Sequence, residues 1–480
     1  MRALIIILLT IVWSAPTAAH GDSVGFRGDG TGVFKGTPPT RWSRVTGENI
    51  RWKTRLPSWA NASPVTQGSR VFVTSEPTEL IALDKTTGKI AWTRRHDFLD
   101  TLSGDERRQG ERETARIPAL KAELEKKQRS VNQLKRDVRR QRSKESAVQA
   151  LEKAMAALDA TRTTLETIKS TYHVTEAEVI SHQYASGFVG YASATPIISD
   201  GRIYALFGNG VLGCHAMDGE RLWMVHVDSP AAHMYGYHSG HAASPRIQDG
   251  VLIVGIGHVH AFDAKTGRRL WKTTEYKNFG TPVVTRAGDT SIVVTPMGRA
   301  LQMSNGAAAA EEIAQLWYIG PLVQGDRLYF IGNAFSQSHA RALTLLPGTS
   351  GRLTPKIHWD VELPKERYYG TPAPLDGLLH VTTRFGEVLA LETATGAIRY
   401  RTSETLPKPV EVYSSPVIAD GHLYMTSEDG LTFVYKPGES AYVRVTVNDL
   451  EPLRSSLFVD KSALYIRGLY HLYRIQAPSP

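Results

Sequence analysis

The chain has 480 residues, 41% of them hydrophobic, and carries 56 Lys and Arg against 47 Asp and Glu, a net charge of +9. Such a composition describes a loop-rich globular protein and excludes a disordered or collagen-like one. The single cysteine, Cys214, excludes an intramolecular disulfide and any metal site built from several cysteines.

The N-terminus reads Met1-Arg2, an apolar run from Ala3 to Val12, and small residues from Ser14 to Ala19. A basic start, a short apolar core and a small-residue end predict a cleavable signal peptide over residues 1–19. The run is shorter than the ~20 residues that a membrane helix needs. An exported protein, periplasmic or secreted, is therefore expected. Ser23 to Lys53 is rich in glycine, but no Lys-Ser/Thr closes the run and no helix follows, so it reads as a structural loop rather than a phosphate loop. The run leads into a strand, Asn49 to Leu56.

From Ala82 to Trp92 the chain reads Ala-Leu-Asp-Lys-Thr-Thr-Gly-Lys-Ile-Ala-Trp. Asp84 is placed to accept from turn amides, and Gly88 supplies the positive φ of a tight hairpin. The pattern recurs at Ala261 to Trp271, with Asp263 and Gly267. It recurs again at Ala390 to Tyr400, with Gly396, and in shortened form at Ala216 to Trp223, with Asp218 and Gly219. Recurrence at turn positions makes these aspartates structural.

A second pattern, a small residue followed by Ser/Thr-Pro, opens each unit: Ala62-Ser-Pro64, Ala194-Thr-Pro196, Ala243-Ser-Pro245, Gly280-Thr-Pro282, Gly370-Thr-Pro372 and Ser414-Ser-Pro416. Gly320-Pro321 and Ser455-Ser456 are degenerate copies. Unit ends at Trp223, Trp271, Trp317, Trp359 and Tyr400 lie about 41–48 residues apart, the period of four-stranded blades. One blade per pattern gives eight. The last unit holds strands for only three, so Asn49 to Leu56 is expected to supply its missing outer strand and close the ring, removing exposed edges.

One segment breaks the period. Ile117, Leu120, Leu124, Lys127, Val131, Leu134 and Val138 alternate in steps of three and four, as do Val148, Leu151, Met155, Leu158, Arg162 and Leu165. They predict two helices forming an antiparallel coiled-coil hairpin that turns at Gln141 to Ser146. From Thr101 to Ser170 there are 17 Lys and Arg against 11 Asp and Glu, a net of +6. The cluster Lys135, Arg136, Arg139, Arg140, Arg142 and Lys144 lies at and before the tip. It marks a solvated surface or a docking element for an acidic protein, anionic lipid or acidic polysaccharide. No nucleic-acid partner is expected. The chain thus divides into the signal peptide (1–19), the N-terminal loop with closing strand and first blade (20–96), the inserted hairpin (97–181) and the remaining blades (182–480).

Connections between blades are rich in aromatic residues and histidines, and one face carrying Trp59, His182, Tyr184, Tyr191, Tyr235, His238, His241, Tyr369 and Tyr413 is the expected ligand-binding face. The arm is inserted in the same class of connection and should share that face. His233, His238 and His241 have metal-like spacing, since a catalytic zinc takes three protein ligands. However, the flexible Gly236 and Gly240 and the absence of carboxylates nearby make loop hydrogen bonding the better reading. His258 and His260 alternate on a strand and read as buried and hydrogen-bonded, and Cys214 as a small core residue.

The spacing Ala-x-Asp-x-x-x-Gly-x-x-x-Trp resembles the tryptophan-docking motif of the PQQ-like β-propeller family, in which the Trp packs between neighbouring blades. The resemblance covers most of Ser23 to Gln476 outside the arm, and implies an all-β fold with eight blades of four antiparallel strands. Quinoprotein dehydrogenases of that family hold pyrroloquinoline quinone and calcium, using a vicinal disulfide, calcium-binding carboxylates and a catalytic Asp. This chain lacks the cysteine pair and shows no such carboxylate signature, so neither cofactor nor catalytic residue is expected. The other functional pole is BamB, a lipoprotein that scaffolds outer-membrane protein assembly, and this chain lacks a lipid-bearing cysteine. The expected function is an exported, non-catalytic, monomeric scaffold or protein-binding module for an envelope or secreted partner. A quinone-dependent oxidoreductase of alcohols or sugars is the alternative. Polysaccharide hydrolysis finds no paired carboxylates in the loops to support it.

Overall fold

A computed structural model describes residues 23–140, 144–175, 189–227, 241–276, 278–334, 337–407 and 410–478. The segment expected to be a signal peptide, residues 141–143 of the expected turn of the arm, and His182, Tyr184, His233, Tyr235 and His238 lie outside them.

Among the described residues, strands form eight sheets, taken here in chain order. Sheet 1 is built from Val65–Gln67, Arg70–Ser75, Glu79–Asp84 and Ile90–Arg95, and sheet 2 from Ile197–Ser199, Arg202–Leu206, Val211–Ala216 and Arg221–His226. Sheet 3 has three strands, Arg246–Gln248, Val251–Asp263 and Arg269–Tyr276, so one run of 13 residues stands where two strands were expected. Sheet 4 (Val283–Ala287, Thr290–Val294, Ala300–Gln302, Ala308–Ala310), sheet 5 (Leu322–Gln324, Arg327–Ala334, Gln337–Pro347, Leu353–Glu362) and sheet 6 (Ala373–Leu375, Leu378–Thr382, Glu387–Glu392, Ile398–Ser403) have four each. Sheet 7 has five, because Val33–Phe34 of the N-terminal loop adds in parallel to Val417–Ala419, ahead of His422–Thr426, Leu431–Pro437 and Tyr442–Asp449. Sheet 8 joins the chain ends: Phe458–Asp460, Ala463–Arg467 and His471–Ile475 receive Ile50–Arg55 as their outer strand.

Burial explains why the middle strands read as apolar runs. Sheets pack on both faces of their neighbours, so Val71, Phe72, Val73, Leu80, Ile81 and Leu83 are all fully buried. At ~1.5–3 kcal/mol per buried large aliphatic side chain, these stacked faces hold the ring together. Outer strands meet solvent, and Ile50–Arg55 alternates between half-buried and exposed.

The recurring Trp and Gly join consecutive sheets. Trp92 Nε1 donates to Met217 O at 3.1 Å, Trp223 to Ala264 O at 3.1 Å, and Trp271 to Met303 O at 2.9 Å. Each indole lies on a turn glycine of the next sheet: a Cβ on Gly219 would come within 2.8 Å of Trp92, one on Gly267 within 2.6 Å of Trp223, and one on Gly306 within 2.7 Å of Trp271. Trp52 covers Gly88 and Trp359 covers Gly396 in the same way, and Tyr400 Oη donates to Gly438 O at 2.7 Å. Ala82 and Ala261 sit fully buried opposite Trp92 and Trp271 in the strand pairs. Trp317 does not end an outer strand: sheet 4's outer strand is Ala308–Ala310, too short to reach it, and Trp317 lies in the connection beyond.

The insertion holds three helices, α1 (Gly104–Thr114), α2 (Ile117–Arg140) and α3 (Glu145–Thr171). α1 was not legible in the sequence because it has no apolar period. A clasp at the root, including α1's own Arg107 and Gly110, holds it. Asp100 pairs with both Arg107 and Arg221 at 3.3 Å, Phe98 and His173 pack on His226 of sheet 2, and Gly110 lies tight against Leu99 and Tyr172. α2 and α3 pack antiparallel, the start of α2 at Ile117 meeting Leu165 and Ile168 near the end of α3. Their seam is displaced from the expected one. Leu158, Thr161, Leu165 and Ile168 are buried, Met155 is 40% exposed, and Arg162 turns outward to Asp159. Lys127 donates to Thr161 Oγ1 at 2.7 Å, which makes a hydroxyl the better seam partner.

Candidate functional site

The Ser/Thr-Pro repeats converge on one place. Ser63 N–H donates to Thr195 Oγ1 at 3.0 Å, Thr195 N–H to Ser244 Oγ at 3.0 Å, and Ser244 N–H to Thr281 Oγ1 at 3.0 Å. On the other side Thr371 N–H donates to Ser415 Oγ at 3.0 Å, Ser415 N–H to Ser456 Oγ at 2.9 Å, and Ser456 N–H back to Ser63 Oγ at 3.1 Å. These seven residues form a crown interrupted where Gly320 stands. A Cβ there would lie 2.0 Å from Thr281 O, so no hydroxyl-bearing residue fits. All seven are more than nine-tenths buried. The small residue before each Ser/Thr lets neighbouring backbones approach: a Cβ on Gly280 would lie 2.2 Å from Ile319.

Above the crown opens a cavity of about 190 Å³. Its wall includes Phe279, Tyr318, Tyr369 and Tyr413. Tyr369 and Tyr413 stack at 4.9 Å, Tyr318 meets Tyr369 edge-on at 5.0 Å, and Arg454 lies 4.6 Å from the centre of the Tyr413 ring. Arg454 Nε also donates to Glu428 at 2.7 Å, and Arg384 Nε lies 3.0 Å from Glu411. Burial raises the Glu428 carboxyl above its ordinary value, and Arg454 pulls against that shift. Burial likewise raises the Tyr369 and Tyr413 phenols, keeping them neutral donors at any physiological pH.

The N-terminal loop reaches across to this place. Phe26 lines the cavity, and Arg27 donates to the carbonyls of Thr371 and Pro372, residues 344 and 345 positions away. Arg246 donates to Phe26 O at 3.2 Å and to Pro282 O at 3.4 Å. The glycine-rich run is thus a structural segment, whose positive-φ Gly32 lies against the Arg27 guanidinium and Gly30 against that of Arg246.

Of the sequence-selected face residues, Tyr369 and Tyr413 line the cavity. Trp59 instead packs against Gly190, whose Cβ would lie 2.5 Å from the indole, and Tyr191 accepts from Gly208 N–H at 2.8 Å. His241 is buried with Nε2 2.8 Å from Ala243 O, and burial lowers its pKa to about 4, as a loop-stapling histidine requires. Cys214 is buried, its thiol pushed up to about 12 by burial, which makes it a core residue and a poor nucleophile. Arg454 stands directly before Ser455-Ser456, as Tyr369 and Tyr413 stand before their copies, and was missed because it is neither aromatic nor histidine, whereas Tyr318 is set one residue apart from its degenerate copy, Gly320-Pro321. The crown was visible as a repeat whose purpose only convergence reveals.

The family model described as outer membrane protein assembly factor BamB matches residues 10–115, 130–333 and 351–442. The chain belongs to the BamB-like PQQ-repeat family. BamB from Moraxella catarrhalis superposes with a TM-score of 0.51 at 12% identity, over 89% of this chain and 99% of that one. A computationally designed protein, Ika8, gives 0.50 at 10% identity, over 88% and 98%. Quinohemoprotein alcohol dehydrogenase from Comamonas testosteroni gives 0.48 at 10% identity, over 92% and 79%. At these identities the likeness concerns the fold alone. No curated protein matches the chain in sequence.

The PQQ repeat raises the question of a quinone–calcium pair. Calcium takes six to eight oxygens, with carboxylates among them. The described cavity lining supplies hydroxyls, aromatic rings, Asn61 and Arg454, and no Asp or Glu. Among the described residues no three His, Cys, Asp or Glu gather into a metal-sized group. Glu411 and Glu428, behind the wall, are held by Arg384 and Arg454. This donor set does not fit a calcium-bound quinone.

Proposed function

We propose that this BamB-like chain is an exported, non-catalytic, eight-bladed propeller that acts as a protein-binding scaffold, with the basic helical arm as its docking element. The observation that carries the reading is the arm's uneven charge. At its root Arg107, Arg116 and Arg162 are ion-paired, whereas Lys135, Arg139, Arg140 and Lys144 near the tip are exposed and enter no ion pair among the described residues. Two packed helices of 24 and 27 residues carry that charge about 36–40 Å from end to end. No helix among the described residues is long and apolar enough to cross a membrane. The signal-like N-terminus and the family model's description as an outer membrane protein assembly factor support a periplasmic or secreted location and an envelope-protein partner. Coulomb attraction at the tip speeds encounter with an acidic partner and weakens with salt.

The test has two arms. Capture of an acidic envelope protein should fall when Lys135, Arg139, Arg140 and Lys144 are changed to Gln, and should fall with added salt in the unaltered chain. Purified protein mixed with pyrroloquinoline quinone and calcium should bind no stoichiometric chromophore and oxidise no alcohol or sugar with an artificial electron acceptor. Bound cofactor with turnover would overturn the scaffold reading.

A further inference from the structure

The crown is more than a fastener. A serine or threonine hydroxyl has one proton to donate and two lone pairs to accept with. Six of the seven crown oxygens accept a neighbour's N–H, and the seventh, Thr371 Oγ1, accepts none. None of the seven hydroxyl protons meets an acceptor among the described residues, although every one of these side chains is more than nine-tenths buried and lines the same cavity. Seven donors thus converge on one small volume. A buried donor without a partner costs about 1–3 kcal/mol, so such a convergence favours an occupant that accepts hydrogen bonds.

The charge behind the crown has the matching sign. Arg27 and Arg246 are buried, bind only backbone carbonyls, and lie beside the crown residues Thr371 and Thr281 through Pro372 and Pro282. Neither has a carboxylate within ion-pair distance among the described residues. Burial and their mutual repulsion lower the Arg27 pKa to about 9, and burial lowers that of Arg246 to about 10, so both remain charged at neutral pH. Asp29 offsets the charge of both only in part and from beyond ion-pair distance, so two guanidiniums in a region that excludes water still favour an anion close by. The rings of Phe279, Tyr318, Tyr369 and Tyr413 above make the rest of the cavity suited to an apolar, flat body.

We propose that the axial cavity is a binding site for a small carboxylate, its oxygens held by the crown hydroxyls and its body lying against the aromatic wall. This site is independent of the arm and of the scaffold reading.

Phenylacetate and its uncharged amide, phenylacetamide, are a matched pair of probes for calorimetric titration of the whole chain. Phenylacetate should bind at least about tenfold more tightly, since hydrogen bonds to a charged acceptor are the stronger kind. Thr371→Val removes one donor without orphaning a neighbour's N–H, and should weaken phenylacetate about tenfold with an unchanged melting temperature. Thr371→Ser keeps the donor and should restore affinity. Equal affinity for acid and amide would overturn the proposal. So would inorganic phosphate binding as tightly as phenylacetate, unchanged affinity in T371V, or no heat at millimolar phenylacetate, which would leave a cavity that holds water only.

Discussion

Acid should unfold this protein well before its surface carboxylates titrate, because it buries neutral histidines. His215, His241 and His380 are each at most 2% exposed, and burial lowers each pKa to about 4. His96 is shifted well below its ordinary value by burial and by His215, whose Nε2 lies 3.2 Å from its own. Between pH 6.5 and 4 the unfolded chain therefore binds protons that the fold refuses. The stability these residues contribute is complete above about pH 6.5, the ordinary histidine value, and is lost as pH falls toward 4. Moving from pH 7 to pH 5 removes about 2 kcal/mol per histidine, or about 6 kcal/mol for the three with pKa near 4. That is a large part of the ~5–15 kcal/mol that holds a typical domain. Glu79 and Glu428, raised by burial, act in the opposite sense over part of this range, so a histidine variant isolates the effect. His380 Nδ1 lies 2.7 Å from Tyr442 Oη, a hydrogen bond that glutamine can replace. Urea unfolding followed by tryptophan fluorescence at pH 7 and pH 5 should show His380→Gln losing about 2 kcal/mol less than the unaltered chain. An identical pH dependence in the two proteins would refute the reasoning.

Three further outcomes follow from the joints between sheets. Trp271→Ala should cost about 3–5 kcal/mol in urea unfolding, because the indole fills the seat on Gly306 and loses its bond to Met303 O. Gly267→Ala should cost about 1–3 kcal/mol, since the position has φ +73° and its Cβ would press on Trp223. Ser456→Ala should cost about 1–3 kcal/mol by orphaning the buried Ser415 N–H, and a cost near zero would show that the crown bonds are dispensable. Deleting Gln109 to Ser170 should leave a cooperative melt and a strand-type circular dichroism spectrum, because the clasp of Phe98, Asp100, His173 and His226 stays behind. Loss of that melt would show that the arm belongs to the core.

Much of the architecture is written in short stretches. The Asp-x-x-x-Gly turn with its following Trp specifies a hairpin through local hydrogen bonds and one positive φ, so it can be read wherever it occurs. The helical period of the arm is equally local, and its exceptions are instructive. Arg162 fits the spacing but not the seam, because a charged group beside Asp159 gains more outside than between two helices. α1 has no period to read, and a clasp of residues on both sides of it holds it in place.

The cavity could not be read in the same way. Its successive crown residues lie between 37 and 132 positions apart in the chain, and each is an ordinary Ser or Thr, most of them before a Pro, until closure sets them side by side. Arg27 finds its carbonyl partners 344 and 345 residues away, and Tyr318 stands beside a degenerate copy of the repeat. The sequence by itself determined the repeating unit, the docking of most units on the next and the strand that closes the last sheet, because turn chemistry and strand period act between neighbours in the chain. Only the tertiary structure decided what the ring encloses, because a convergence of hydroxyl protons and buried guanidiniums is a property of distance in space.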